Sequence, residues 1–214
     1  DVRSFLDTCE TFLPEAEVDL VGRAVYYNGR KTVAKAYPIS IDPEEVRRIG
    51  NSPRALEYER QIAPLCTENT IVRVDRAEPS KNVVRGFKAY RMLLENYPEL
   101  HGHVNFLAFL VPSRTHIRQY KRYLSEIEAM VGEINVHFGS AEWQPVTVFY
   151  ENNYTQAIAG MKQYDVLLVN PVVDGMNLVA KEGPVVNRKN GVLVLGNINP
   201  AEVHLATSSL KILK

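Results

Sequence analysis

The sequence predicts a doubly wound α/β domain built on a parallel sheet of the Rossmann-like type. From residue 70 onward, short apolar runs alternate with longer segments of helical periodicity. The apolar runs are continuous, as in VNFLAFLV, which is typical of strands covered on both faces. Strands and helices that alternate in this way form parallel sheets with right-handed crossovers.

Local patterns justify each element in turn. Residues 2–13 carry apolar side chains on one helical face. The pair Asn28-Gly29 predicts a two-residue hairpin turn, because both positions need positive φ. Asp42 and Pro43 predict the cap and first turn of a helix. The later elements are, in order, strand TIVRV, helix SKNVVRGFKAYRMLLENY, strand VNFLAFLV, helix THIRQYKRYLSEIEAMVGEINVHF, strand VTVFY, helix YTQAIAGMKQY, strand DVLLVN, helix NLVAKEGPVV and strand GVLVL.

Composition limits the class of protein. The 214 residues favour one domain, or one domain with a fragment of another. A formal net charge of +0 provides no basic field for nucleic acid. No apolar stretch approaches the roughly 20 residues that span a bilayer. The charge and the apolar runs therefore predict a protein that binds neither nucleic acid nor membrane. The widely separated Cys9 and Cys66 suit a reducing compartment, so we expect a cytoplasmic location.

The segment NPVVDGMNLVAKEG, residues 170–183, joins a strand end to a helix start. Ligands of open parallel sheets bind beyond the carboxyl ends of the strands, where we expect Asp174. The next helix is predicted to start near Met176, so its free N–H groups would attract an anion. Gly175 allows a ligand to approach the backbone, and Glu182 is placed to accept hydrogen bonds from a ribose diol. A capped helix explains the same residues, since Asp and Asn are common N-caps.

Two further strand ends carry cations. Arg76 and Lys81 follow a strand predicted to end near Val74, and together they would hold a diphosphate without a metal. Arg114 follows the next strand, in the motif VPSR. A solvated charged loop explains the first pair equally well, and a helix start capped by Ser113 explains the second motif. Three polar strand ends on one rim nevertheless favour a ligand site.

Together, the motifs RAEPSKN, VPSR and DGMNLVAKEG resemble those of trehalose-6-phosphate synthases and their close relatives, which are retaining glycosyltransferases of the two-domain GT-B type. The resemblance covers most of the chain, including YPISIDPEE, INVHFGSAEWQPV and GVLVL. It implies one half of a GT-B fold: a remnant of the N-terminal domain at residues 1–42, a Rossmann-like nucleotide-sugar-binding domain at 43–200 and a truncated C-terminal tail at 201–214.

The resemblance also implies a role for each site residue. The catalytic residues would be Arg76 and Lys81, which grip the donor diphosphate, and Asp174, which holds the sugar hydroxyls. Arg114 would hold the phosphate of the acceptor sugar. The other donor-binding residues would hold the sugar, cover the diphosphate with N–H groups, contact the ribose or line the base pocket: Gly175, Met176, Asn177, Leu178, Val179, Glu182 and Tyr154.

The implied reaction transfers glucose from UDP-glucose or GDP-glucose to a sugar phosphate. Fixed cations and N–H groups would stabilise the charge that develops on the leaving diphosphate. That phosphate would take the proton of the acceptor hydroxyl, so the reaction needs no protein nucleophile and no metal cofactor. His101 and His103 share no recognisable spacing with other metal ligands, and we therefore expect no metal site.

Two departures from the family pattern limit the expected activity. The N-terminal domain, which supplies much of the acceptor pocket, is represented only by residues 1–42, and DVRSFLDTCE lacks an initiating Met. After GVLVL, the Ser-Glu and Ala-Gly-Ala segment of the family is missing before the Asn-Pro of GNINP. We therefore expect a fragment of a longer polypeptide, which binds donor but lacks synthase activity without its N-terminal domain as a partner.

Several alternatives to the synthase stay open at this point. Asn82 stands where many synthases have glycine, and Pro79 and Ser80 replace an aromatic-containing step. The alternatives are a non-catalytic or regulatory GT-B-like subunit, a glucosylglycerol-phosphate synthase and a pseudo-glycosyltransferase. The sequence does not distinguish the donor base, the acceptor or the oligomeric state, a homo-oligomer included.

Overall fold

The computed structural model describes residues 2–196 and 212–213. The chain divides into two compact units, Asp1–Ser40 and Ile41–Lys214. The departure from the family pattern that follows Leu195, and the predicted tail at 201–214, lie almost wholly outside the described residues.

The first unit consists of one helix and a three-stranded antiparallel sheet. Leu6 and Cys9 of the helix pack with Val25 of the sheet in a small core. Asn28 (φ 51°) and Gly29 (φ 71°) form the turn between the second and third strands, which confirms the predicted hairpin. The elements are α1 (Val2–Phe12), β1 (Glu17–Asp19), β2 (Ala24–Tyr27) and β3 (Arg30–Val33).

The second unit is a layered α/β structure, which confirms the predicted fold class. In the described residues its sheet has six strands, all parallel, in the order β6-β5-β4-β7-β8-β9. The elements are α2 (Pro43–Gly50), α3 (Pro53–Ile62), β4 (Asn69–Arg76), α4 (Val83–Asn96), β5 (Val104–Val111), α5 (Arg118–Phe138), β6 (Val146–Tyr150), α6 (Tyr154–Met161), β7 (Val166–Val169), α7 (Val179–Val186), β8 (Val192–Leu195) and β9 (Ile212–Leu213).

Helices cover both faces of this sheet. Helices α2, α3, α6 and α7 contribute to one core, and α4 and α5 contribute to the other. Successive side chains of a strand point to opposite faces. Accordingly, Leu107 and Phe109 of β5 belong to the first core, whereas Phe106 and Ala108 belong to the second. Coverage on both faces explains why the strands read as continuous apolar runs.

The strand order reverses beside β4. From β4 the chain passes outward to β5 and β6, then returns to β7 and β8 on the other side of β4. Strands β4 and β7 are therefore neighbours, with Val72 paired to Leu167. A reversal of this kind opens a crevice at the carboxyl ends of the two strands, which is where doubly wound proteins bind ligands.

Several elements differ from those expected from the sequence. Helix α3, which Ser52 caps through a bond from Ala55 N, was not predicted. Strand β4 continues to Arg76 instead of ending near Val74, because its pairing with β5 extends that far. Helix α7 begins at Val179 instead of near Met176. The predicted cap at Asp42, whose side chain accepts from two backbone N–H groups of α2, is confirmed.

Within the described residues, no helix combines the length and the apolarity that a membrane span requires.

Candidate functional site

Two loops meet at the carboxyl edge of the sheet, beside the reversal of strand order. The first leads from β4 through a 3-10 turn at Pro79–Lys81 into α4, and the second leads from β7 to α7. The backbone N–H of Val172 donates to the carbonyl of Ser80 at 2.9 Å. The side-chain amide of Asn82 donates to the carbonyl of Asn170 at 3.0 Å. These bonds hold the loops side by side although they are distant in sequence.

Lys81 and Asp174, which were predicted on these separate loops, form an ion pair. Lys81 Nζ lies 2.6 Å from Asp174 Oδ2, and the two side chains are only 11% and 17% exposed. Asn177 Nδ2 donates to the same oxygen at 2.9 Å, and Gly175 N donates to Oδ1 at 3.0 Å. Burial would raise the pKa of Asp174, but the bonds from Lys81 and Asn177 outweigh it, so the pKa lies below its ordinary value. The structure therefore places an ionised carboxylate beside a cation.

The start of α7 is organised by Asn177. Its Oδ1 accepts a hydrogen bond from Ala180 N at 3.1 Å, while its Nδ2 holds Asp174. Asn177 therefore caps the start of α7 and also fixes the Asp174 carboxylate. A Cβ added at Gly175 would meet no atom within 4 Å, so open space adjoins this backbone. The predicted contact residues Met176, Leu178 and Val179 are half-buried beside it.

Arg76 lies at the end of β4 and is half-exposed. Its Nη2 forms an ion pair with Glu78 Oε1 at 2.9 Å. Glu78 is buried and also accepts hydrogen bonds from Ser80 Oγ at 2.9 Å and from Ser113 Oγ at 3.1 Å. One buried carboxylate thus orients Arg76 and connects the loop after β4 to the loop after β5.

Arg114 belongs to that loop after β5, at the same edge of the sheet. Its Nη1 donates to Tyr120 Oη at 2.8 Å, and its guanidinium carbon lies 5.5 Å from the centre of the Tyr120 ring. The side chain is exposed, and no described contact joins it to Lys81 or Asp174. Arg114 is therefore positioned by an aromatic residue of α5, and its link to the rest of the site runs through its neighbour Ser113.

Tyr154 and Glu182, predicted as base and ribose contacts, touch each other. Tyr154 Oη donates to Glu182 Oε1 at 2.9 Å across α6 and α7. Glu182 is buried, and this burial raises its pKa, although the bond from Tyr154 opposes the shift. Burial and the nearby Glu182 carboxylate also raise the pKa of Tyr154, which is 44% exposed. The tyrosine ring is thus anchored at its hydroxyl and open to solvent elsewhere.

Sequence reasoning missed the charged residues beneath the site. Arg73 and Asp75 are buried on one face of β4, with Arg73 Nε 3.0 Å from Asp75 Oδ2. Arg73 also donates to Asn170 Oδ1 at 2.8 Å and to the carbonyl of Lys81. The available signal was the pattern TIVRVD, in which two charges occupy alternate positions of an otherwise apolar strand.

Among the described residues, no group of three or more His, Cys, Asp or Glu side chains is arranged to hold a metal ion. His101 instead bonds to the carbonyl of Leu94 at 2.9 Å and stacks on Trp143. His103 pairs with Glu68 at 3.0 Å. Both histidines therefore have structural contacts within the fold.

The fold and the loop geometry define a Rossmann-like domain whose polar residues gather at the reversal point of a parallel sheet. The family model of glycosyltransferase family 20 matches residues 1–212, and the chain belongs to that family.

Named relatives agree with this assignment. The chain is 34% identical over 189 residues to the trehalose-6-phosphate synthase of Sodalis glossinidius (strain morsitans), covering 86% of this chain and 39% of that protein. It is 32% identical over 215 residues to the trehalose-6-phosphate synthase of Cronobacter sakazakii, covering 98% of this chain and 44% of that protein. The chain therefore spans less than half the length of these relatives.

Solved structures show the same fold. A UDP-forming alpha,alpha-trehalose-phosphate synthase from Burkholderia xenovorans, in complex with glucose-6-phosphate, superposes with a TM-score of 0.85 at 29% identity, covering 100% of this chain and 48% of that one. An E. coli structure bound with UDP-2-fluoro glucose superposes with a TM-score of 0.80 at 28% identity, covering 93% of this chain and 44% of that one.

Proposed function

We propose that this chain supplies the nucleotide-sugar-binding part of a retaining hexosyltransferase of the trehalose-6-phosphate synthase type. The reaction moves glucose from a nucleotide-glucose donor to a sugar phosphate. The observation that carries the proposal is the meeting of Lys81 and Asp174 at the reversal point, 2.6 Å apart and beside the start of α7. Membership of glycosyltransferase family 20 supports the class of reaction.

In this proposal, the donor diphosphate lies between the two loops. Lys81, Arg76 and the backbone N–H groups of Leu178 and Val179 bind its oxygens, since cations and helix N-termini both favour anions. Asp174 binds the hexose hydroxyls together with Gly175 and Asn177. The open space at Gly175 supports this assignment, because a sugar needs room next to the backbone.

The proposed chemistry follows from these contacts. The bond between the hexose C1 and the diphosphate oxygen breaks, and negative charge grows on that oxygen, where Lys81 and Arg76 stabilise it. The acceptor hydroxyl attacks C1 from the face that the diphosphate leaves, and its proton passes to the departing phosphate. Stereochemistry at C1 is retained, and Asp174 orients the hexose without forming a bond to C1.

The nucleoside is assigned to the Tyr154–Glu182 pair. The exposed ring of Tyr154 offers a stacking surface for the base, and the buried carboxylate of Glu182 is an acceptor for ribose hydroxyls. UDP-forming relatives and a neighbour bound to UDP-2-fluoro glucose support a uridine donor. GDP-glucose is the second donor to test.

The acceptor and the domain limits are proposals as well. Arg114 is assigned to the acceptor phosphate, and a relative solved with glucose-6-phosphate supports a sugar phosphate. We assign residues 1–42 to the end of the N-terminal GT-B domain, 43–200 to the nucleotide-sugar-binding domain and 201–214 to the tail. A cytoplasmic location is proposed from Cys9 and Cys66, both of which are free thiols.

Calorimetric titration of the full chain with UDP-glucose and GDP-glucose tests the donor assignment. We expect Arg76→Ala to weaken binding about tenfold or more, the cost of one charge-assisted contact. Arg60→Ala is the matched control, because Arg60 is also exposed and paired to a glutamate, but lies on α3. Binding of neither sugar nucleotide by the native chain, or equal affinities for native and Arg76→Ala chains, would overturn the assignment.

A further inference from the structure

A buried guanidinium lies directly beneath the two loops of the site. Arg73 is 0% exposed and sits on the face of β4 that α4 covers. Its Nη1 donates to Asn170 Oδ1 at 2.8 Å, its Nη2 donates to the carbonyl of Lys81, and its Nε faces Asp75 Oδ2 at 3.0 Å. The three nitrogens of one side chain thus contact its own strand and both loops.

The two loop contacts of Arg73, with Lys81 and Asn170, lie in the two loops that carry the Lys81–Asp174 ion pair. Lys81 itself carries the ammonium that pairs with Asp174, so a bond to its carbonyl restrains the residue from the backbone side. Asn170 is the first residue beyond β7 and begins the loop that leads to Asp174. Arg73 therefore contacts the backbone of Lys81 and the first residue of the loop that carries Asp174.

Gly86 of α4 leaves room for this side chain. A Cβ added at Gly86 would lie 2.5 Å from Arg73 Nη1. By contrast, Gly132 of α5 has no atom within 4 Å of such a Cβ. Burying an ion pair is rarely a net gain in stability over apolar side chains of the same size. The burial of this pair is therefore weak evidence for a contribution to stability, and the contacts of Arg73 with two loops point to a role in geometry.

We propose that Arg73 is a positioning residue for the sugar-nucleotide site. Its contacts fix Lys81 and the loop that carries Asp174 relative to each other. This inference rests on the proposed function, because it concerns the geometry of the same site. Arg73 makes no contact with substrate; it acts through Lys81 and Asn170. Its planar guanidinium can bridge two acceptors and a carboxylate at once, which a lysine ammonium at the same position cannot do with the same geometry.

Two variants displace the guanidinium in different ways. Arg73→Lys keeps a positive charge opposite Asp75 but removes the planar guanidinium. Gly86→Ala keeps Arg73, but the added Cβ would displace its guanidinium. Gly132→Ala is the matched control for the helical substitution. We expect both test variants of the full chain to bind UDP-glucose or GDP-glucose about tenfold more weakly, a typical coupling between contacting residues. Gly132→Ala should bind like the native chain.

A double-mutant cycle separates positioning from general stability. If Arg73 acts through Lys81, Arg73→Lys should lose most of its effect on affinity in a Lys81→Ala background. A role in stability alone predicts additive losses. Equal losses in the two backgrounds would overturn the inference, even if both variants fold.

A measurement without ligand distinguishes this inference from the proposed function. The pKa of Asp174, followed by carboxyl ¹³C NMR, reports the contact with Lys81. We expect this pKa to rise toward its ordinary value in Arg73→Lys and Gly86→Ala, and to stay low in Gly132→Ala. An unchanged Asp174 pKa in both test variants would overturn the positioning role. Failure of the native chain to bind either sugar nucleotide would instead overturn the proposed function.

Discussion

Lys81 Nζ lies 2.6 Å from Asp174 Oδ2, although the two residues are 93 positions apart in the chain. The contact exists because the strands that precede them, β4 and β7, are neighbours in the sheet. Asn177 and Gly175 complete the hydrogen bonds of the carboxylate. A diphosphate that binds Lys81 must therefore share the ammonium with Asp174 or displace it, which frees the carboxylate for hydroxyl groups.

The first prediction concerns this exchange. Asp174→Asn removes the anionic partner, so Lys81 should bind a diphosphate more freely. We expect the affinity for free UDP or GDP to rise severalfold, while the additional affinity contributed by the glucose is lost. Titration of native and Asp174→Asn chains with each diphosphate and its glucose ester measures both effects. Parallel changes for the diphosphate and the ester would contradict the assigned roles.

The second prediction separates the ring of Tyr154 from its hydroxyl. Tyr154→Ala removes the stacking surface and should weaken nucleotide binding by about 1–3 kcal/mol. Tyr154→Phe keeps the ring and should weaken binding less, while the pKa of Glu182 rises further because the bond that lowers it is lost. Calorimetry measures the affinities. Tyr97→Ala, at another exposed tyrosine, is the control, and equal affinities of Tyr154→Ala and native chains would exclude Tyr154 from the base pocket.

The third prediction concerns the backbone of Asn82, which adopts left-handed angles of φ 60° and ψ 34°. Glycine adopts this conformation without strain, whereas alanine pays about 1 kcal/mol or more. Both substitutions also remove the hydrogen bond to Asn170 O. We therefore expect Asn82→Ala to lower the free energy of unfolding by about 1 kcal/mol more than Asn82→Gly does.

Chemical denaturation of the full chain measures this difference for Asn82. Asn96→Ala, at an exposed helical position of α4, controls for the loss of an asparagine and should be close to neutral. Equal losses in Asn82→Ala and Asn82→Gly would show that the left-handed backbone carries no cost.

The fourth prediction concerns pH. Burial raises the pKa of Asp75 from 3.8 to about 6, because it outweighs the attraction of Arg73. Between those pH values the folded chain binds more protons than the unfolded chain, so this group makes the free energy of unfolding fall as pH rises from about 4 to about 6. Asp174, whose pKa is lowered, contributes in the opposite direction, so the decline due to Asp75 is measured by comparing denaturation curves of the native chain with those of Asp75→Asn across that range. This decline should be reduced in Asp75→Asn, and an identical pH profile would contradict the shifted pKa.

Local residues were sufficient to predict much of the fold. The hairpin at Asn28-Gly29 and the cap at Asp42 depend on neighbours in the chain, and both predictions are confirmed. The strands VNFLAFLV and VTVFY were predicted with the bounds that the structure shows. Helix boundaries were less accurate: Asn177 bonds to Ala180 N, and α7 begins only at Val179.

The candidate site could be predicted only in part. Lys81 and Asp174 were expected at one edge, and the structure brings them into contact. The roles assigned to them, to Arg76 and to Arg114 remain predictions. Arg73 was missed because the sequence places only Asp75 beside it, whereas its other partners, the Lys81 carbonyl and the Asn170 side-chain amide, belong to two loops that meet only in the folded chain.

The sequence by itself determined the alternation of strands and helices, the parallel sheet and the resemblance to a glycosyltransferase family, because each depends on residues close together in the chain. Only the tertiary structure decided that Arg73 lies beneath Lys81 and Asn170, and that Glu78 connects Arg76 with Ser113. The physical reason is the order of strands in the sheet. Apolar runs specify that strands are buried, but the packing of helices on both faces decides which strands become neighbours and which loops then meet.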